Sequence, residues 1–153
     1  MIASETPIFM RWPRTMEEAE GRVLYALKSY QIIETTLKAY LCRLSESEAG
    51  ESRSKFTKSK VKNKPLGWLL REFKLHNKNV GLQQMLDEIK SERDEVAHQA
   101  LVSQKPGIAE ILGVDTMQIQ RLREIDRNAS RAMTAMVCEF IKSQPKQCAE
   151  NVV

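Results

Sequence analysis

Arg93-Asp94-Glu95-Val96-Ala97-His98 puts a cation, an acid and a proton carrier within six residues. The guanidinium holds a permanent, forked positive charge that matches the oxygens of a phosphate. Imidazole gives and takes protons near neutral pH better than any other side chain. Together they are the minimum equipment for breaking a phosphodiester without a metal ion. Spacing alone settles little, because Arg71-Glu72-Phe73-Lys74-Leu75-His76 repeats both residue types at the same separation. A chain with eleven arginines and two histidines produces such pairs readily. The surroundings separate the two copies. His76 enters a Lys/Asn turn at the end of a short helical pattern, where a histidine is ordinarily solvated or offsets the helix dipole. Arg93 instead falls on an inward stripe between Ile89 and Val96, where an unpaired charge is costly to bury.

Glu34 interrupts the apolar face of the first helical pattern between Tyr30 and Leu37. Glu34 and Arg93 therefore read in two ways, as an internal salt bridge or as parts of an open cleft. Asp94 and His98, at i and i+4, share a helix face, so Asp94 is placed to hold the imidazole in one tautomer. Arg93 and His98 are five residues apart, about 140° around and 7.5 Å along an ideal helix. They converge only if the helix frays near Ala97, or if two chains lend their motifs to one groove.

The elements that must position these residues are helices. Of the 153 residues, 42% are hydrophobic and only 6% aromatic, a profile poor in sheet formers and ample for one core. Thr15-Met16-Glu17-Glu18 has the form of a capping box and follows Pro13. From there Val23, Leu27, Tyr30, Leu37, Leu41 and Leu44 repeat at three and four residues, predicting a first helix of nearly thirty residues, about 40 Å long. Lys64-Pro65 opens a second, shorter helix with Leu66, Leu69, Leu70 and Phe73 inward and Trp68 at its edge. After the turn Asn77 to Gly81, a third helix turns Leu82, Met85, Leu86, Ile89, Val96 and Ala100 inward and breaks at Pro106-Gly107. The piece Ile108 to Val114 has room for one further helical turn. Asp115-Thr116-Met117-Gln118 caps a fourth, whose core face is Leu122, Ile125, Ala129, Ala132, Met133, Met136, Phe140 and Ile141, and Pro145 ends it. The expectation is an all-α four-helix bundle. It forms a single domain over 1–153, with its core at about 16–142, a loop over 45–64 and a frayed tail over 143–153.

The net charge of +4 permits nucleic acid as a partner without requiring it. Its distribution is more telling: Arg53, Lys55, Lys58, Lys60, Lys62 and Lys64 stand in one run with no acid among them. Such a run is either a solvated loop or a nonspecific grip on an RNA backbone. Cys42, Cys138 and Cys148 form no CxxC pair, and two of them lie in apolar helical patterns, which fits a reducing cytoplasm. The start MIASETPIFMRWPR does not read as a signal peptide, and no stretch approaches a membrane span. Two distant histidines and scattered cysteines supply no metal ligand set, so no metal or cofactor is expected.

With its motif at the end of the third helix and a break and a long last helix behind it, the chain resembles the HEPN superfamily of helical domains. The resemblance rests on Arg93-Asp94-x-x-x-His98, a form of that family's Arg-x4–6-His motif with a polar residue after the arginine. Asp94 stands where asparagine is common and keeps a polar, orienting side chain. The long opening helix through Ala26-Leu27-Lys28-Ser29-Tyr30-Gln31-Ile32-Ile33-Glu34-Thr35-Thr36-Leu37-Lys38 adds support, and the architecture matches over roughly residues 16 to 142. The resemblance implies a HEPN-like bundle acting on RNA as a metal-independent endoribonuclease. Arg93 and His98 would be catalytic, Asp94 and Glu34 supporting. It implies a homodimer whose motifs line one cleft, in a toxin–antitoxin, phage-defence or RNA-processing setting in which an antitoxin protein is a further partner. Some domains of this kind have lost catalysis and bind a protein partner or a nucleotide instead. A helical DNA-binding regulator is a third reading, but no helix-turn-helix pattern with a tight glycine turn is present.

Overall fold

The structure, a computed structural model, describes residues 8–47, 56–104 and 119–144, with side chains described over 18–45, 56–98 and 120–144. It is all-α, with no strand among the described residues. Five helices are described: α1 (Ile8–Ser47), α2 (Lys58–Val61), α3 (Leu66–His76), α4 (Val80–Gln104) and α5 (Ile119–Ser143). The long helix α1 is the spine. It packs most extensively against α5, then against α4 and α3, while α4 also lies on α5 and α3.

The three- and four-residue spacing of apolar side chains builds the core much as the sequence predicts. Val23, Tyr30, Leu37 and Leu41 of α1 are buried, joined by Ala26, Ile33 and Tyr40. Leu66, Leu69, Leu70 and Phe73 of α3 are buried, and Phe73 meets Tyr40 edge-on with ring centroids 5.1 Å apart. Leu82, Leu86, Ile89 and Val96 of α4 join Leu122, Ile125, Ala129, Ala132 and Met136 of α5. Leu27, Leu44, Trp68, Met133 and Phe140 pack at the edge of this cluster.

Several expectations are corrected. The first helix begins at Ile8, before Thr15, and runs through Pro13 for 40 residues. A capping box acts only where backbone N–H groups lack partners, and inside a running helix Thr15 has none to cap. Met85 is 38% exposed and Ile141 is 62% exposed, because Leu82, Leu86 and Ile89, and then Met136 and Phe140, already fill the inward stripes. Cys42 is partly buried, but Cys138, two positions past Met136, turns to solvent. The basic run is not wholly a loop. Thr57 caps the single-turn helix α2, accepting from the Lys60 N–H, while Phe56 just before it and Val61 at its end are buried anchors. Arg53, Lys55, Ala100, the piece 108–114, the second capping box at 115–118, Pro145, Cys148 and the end of the tail lie outside the residues whose side chains are described.

The turn between α3 and α4 does more than reverse the chain. Asn79 caps α4, its Oδ1 accepting from the Leu82 N–H at 3.1 Å, and its own N–H donates to Asn77 Oδ1 at 2.7 Å. The buried Asn77 amide donates to Tyr40 Oη at 3.1 Å and to Glu139 Oε1 at 2.9 Å, tying the turn to α1 and α5 together. Asn77→Ala leaves these groups without their donor, so unfolding by urea should show a loss of roughly 1–2 kcal/mol with an unchanged slope. A variant as stable as the parent would mean the turn is held by packing alone.

Candidate functional site

Ile89, Glu92 and Val96 hold the inward line of α4, and this overturns the placement of Arg93. Glu92, not Arg93, occupies the buried stripe, with only 7% of its surface exposed. One residue further on, 100° around the helix, Arg93 stands on the flank facing α1 with its side chain 41% exposed. Its Nη2 lies 3.6 Å from Glu34 Oε2, forming an ion pair between the two helices. Of the two readings of Glu34 and Arg93, a salt bridge is present, but it is half-open to solvent rather than internal.

Glu34 also meets Lys38 on its own helix, Oε1 to Nζ at 3.2 Å. Lys38 Nζ in turn donates to the Lys62 carbonyl at 2.8 Å. A continuous polar chain therefore runs from Arg93 through Glu34 and Lys38 to the basic segment. Lys58, Lys60, Lys62 and Lys64 are all exposed, and the Lys64 ammonium sits over the Trp68 ring at 5.0 Å. The sequence left the position of this segment open; the structure sets Lys62 beside the α1 flank that carries the Glu34–Arg93 pair.

Asp94 and His98 are exposed on the outer face of α4. No hydrogen bond or ion pair joins them among the described residues, so the orienting role expected of Asp94 has no contact behind it here. The helix continues without interruption to Gln104. Fraying near Ala97 does not occur, and Arg93 and His98 of one chain point in directions set by an unbroken helix. His76 stands in the last turn of α3 as expected, but it is not solvated. It is half-buried, edge-on to Phe56 at 5.6 Å, and its Nε2 is buried with no hydrogen-bond partner. Phe56, unseen as an anchor in the sequence, is what draws it in.

Behind Arg93 lies a polar cluster that the sequence pattern did not reveal. Asn128 of α5 donates to Glu92 Oε1 at 3.0 Å, and Arg121 Nη2 is 3.9 Å from the same oxygen. Glu92 Oε2 and the Tyr30 hydroxyl are both buried without a partner. Burial pushes the Glu92 carboxyl above the usual carboxylate range, although the Asn128 bond and Arg121 oppose it. Burial and the nearby Glu92 charge push the Tyr30 hydroxyl up as well. One signal for Glu92 was legible: it falls three residues after Ile89 and four before Val96. Among the described residues no group of three His, Cys, Asp or Glu side chains is arranged to hold a metal ion. No helix described is long and apolar enough to cross a membrane.

No family model matches this chain, and no curated protein or solved structure is significantly similar to it.

Proposed function

We propose that this chain is a metal-independent endoribonuclease, a four-helix bundle of the HEPN type that works as a homodimer. The observation that supports it best is the run of polar contacts from Arg93 to Lys62. It brings the motif arginine and an exposed basic segment to the same side of α1. An RNA strand gripped there by lysines passes a guanidinium held only by a half-exposed pair. Such a pair contributes about 0–1 kcal/mol, so a phosphate displaces Glu34 at little cost.

His98 takes the proton from a ribose 2′-hydroxyl, and that oxygen attacks the adjacent phosphorus. The bond to the 5′-oxygen breaks, and the leaving oxygen receives a proton. Two His98 side chains in a dimer divide the two proton transfers, and Arg93 stabilises the charge that grows on the phosphoryl oxygens. Because α4 is unbroken, Arg93 and His98 of one chain diverge, and a second copy is what completes the constellation. An antitoxin or other regulatory protein fits the same reading as a partner, in a toxin–antitoxin or phage-defence setting.

The test is purified protein incubated with end-labelled RNA. Cleavage should persist in EDTA and leave 2′,3′-cyclic phosphate ends or their 3′-phosphate hydrolysis products. A strict Mg²⁺ requirement, or 5′-phosphate products, would remove this mechanism. The ion pair that already occupies Arg93 favours the second reading, a noncatalytic bundle that binds a protein partner or nucleotide. RNA left uncut under all conditions would select it. Charge reversal at Lys58, Lys60 and Lys62 should weaken RNA binding and lower its salt slope by roughly 0.7 for each phosphate no longer neutralised. The circular dichroism spectrum should not change, because all three side chains are exposed. An unaltered slope would reduce the segment to a solubilising surface.

A further inference from the structure

The flank of α1 turned away from Glu34 carries a second charged feature, which plays no part in the proposed cleavage. A groove of about 680 Å³ lies between α1 and α5. Five cations line it: Arg22 and Lys28 from α1, and Arg123, Arg127 and Arg131 from α5. Asp126 is the acid among the lining residues. Arg22 is paired with Asp126 at 2.8 Å, and Arg123 makes two hydrogen bonds to Glu18, at 2.6 and 2.9 Å. Those pairs set the near end of the groove. Arg127 and Arg131 are exposed and have no ion pair among the described residues.

Arg123, Arg127 and Arg131 recur every four residues, so their rise along α5 is about 6 Å per step. That is on the order of the distance between successive phosphates of an extended strand. Tyr25, on the opposite wall, is 62% exposed, and its ring face is approached by the Lys28 ammonium at 5.7 Å. An exposed aromatic face beside a row of guanidinium groups is the arrangement that takes a single strand, with phosphates on the cations and a base on the ring. An acidic peptide matches the charge but makes no comparable use of the ring.

We propose that the α1–α5 groove binds the phosphodiester backbone of single-stranded nucleic acid, with Tyr25 as a stacking platform. This site goes beyond the cleavage reading, because binding is measurable in a chain that cannot cut. The experiment uses the full-length His98→Ala protein and a short fluorescent oligouridylate, with fluorescence anisotropy as the readout and the matching oligodeoxyuridylate as a second arm. Arg127→Glu with Arg131→Glu should weaken binding at least tenfold and lower the salt slope by about 1.4, at roughly 0.7 for each phosphate neutralised in a single strand. Tyr25→Ala should weaken it by about tenfold.

Lys78→Glu with Lys142→Glu makes the same change of charge away from the groove, and should cost much less affinity. Equal losses from the two pairs would overturn the proposal, since the effect would then be net charge alone. Polyglutamate competing as well as the oligonucleotide would also overturn it. If RNA and DNA both bind and depend on Arg127 and Arg131, the backbone is the ligand, and if RNA alone binds, the ribose contributes as well. Either result supports the site. Failure of the groove variants alone would leave cleavage at His98 intact, and failure of cleavage alone would leave strand binding intact.

Discussion

His98→Ala should lower RNA cleavage by about 10²–10⁴-fold while leaving the helix content and melting temperature of the protein unchanged. The side chain is exposed on the outer face of α4 and makes no hydrogen bond among the described residues, so its removal takes nothing from the fold. Arg93→Ala should cause a loss of similar size, with a small stability change because its pair with Glu34 is half-exposed. His76→Ala is the contrasting case. It removes a half-buried ring packed against Phe56, so it should lower stability and leave cleavage per folded molecule unchanged. The opposite pattern, with His76→Ala inactive and His98→Ala active, would mean that the chemistry belongs to the other copy of the motif.

Dimerisation sharpens the test. Light scattering at micromolar concentration should give about twice the 17.6 kDa of one chain. Inactive Arg93→Ala and His98→Ala chains, when mixed, should recover little activity, because their heterodimer holds one His98 where the mechanism uses two. Substantial recovery would show that one arginine and one histidine from opposite chains suffice. A monomer that cuts RNA would end the shared-groove reading, because one unbroken α4 does not bring the two residues together.

The helices were legible because amphipathic spacing is a local property that burial acts on directly. Leu66, Leu69, Leu70 and Phe73 show this most cleanly: all four were expected inward and all four are buried. Where sequence and structure differ, the cause is tertiary. A stripe of three- and four-residue steps admits two neighbouring positions, and between Ile89 and Val96 both Glu92 and Arg93 fit it. Which neighbour is buried depends on what faces it, and here Asn128 of α5 supplies the donor that lets a carboxylate in. Phe56 and Val61 were hidden for a related reason. Six cations around two apolar residues dominate any local average, whereas the fold needs only those two to pin the segment. The pairing of Arg93 with Glu34 and the route to Lys62 are long-range facts. The sequence named both ends of the pair, and only the packing of α4 on α1 joins them.

Glu92→Gln should make the protein more stable at pH 8, because it removes a charge that burial disfavours. The carboxyl is 7% exposed, one oxygen has no partner, and its pKa is raised chiefly by burial. The sign follows from linkage. A carboxyl whose folded pKa lies above its unfolded value favours the fold when protonated. That contribution is complete below the unfolded pKa and is lost as pH rises through the folded one. Parent stability should therefore fall on moving upward from the ordinary carboxylate range toward neutrality, as far as this residue sets it. The glutamine variant should lack that component, and the two proteins should converge at acid pH. Glutamine keeps an oxygen for Asn128 and presents an amide where the unpaired carboxylate oxygen was, within the same volume. Arg121 does not become stranded by the change, because it is also 3.4 Å from Glu95 and 3.3 Å from Glu124. Melting curves of both proteins across this pH range measure the effect. A glutamine variant less stable than the parent at pH 8 would show that attraction to Arg121 outweighs desolvation. Glu92 would then be a buried anchor for α5 and not a strained charge behind Arg93.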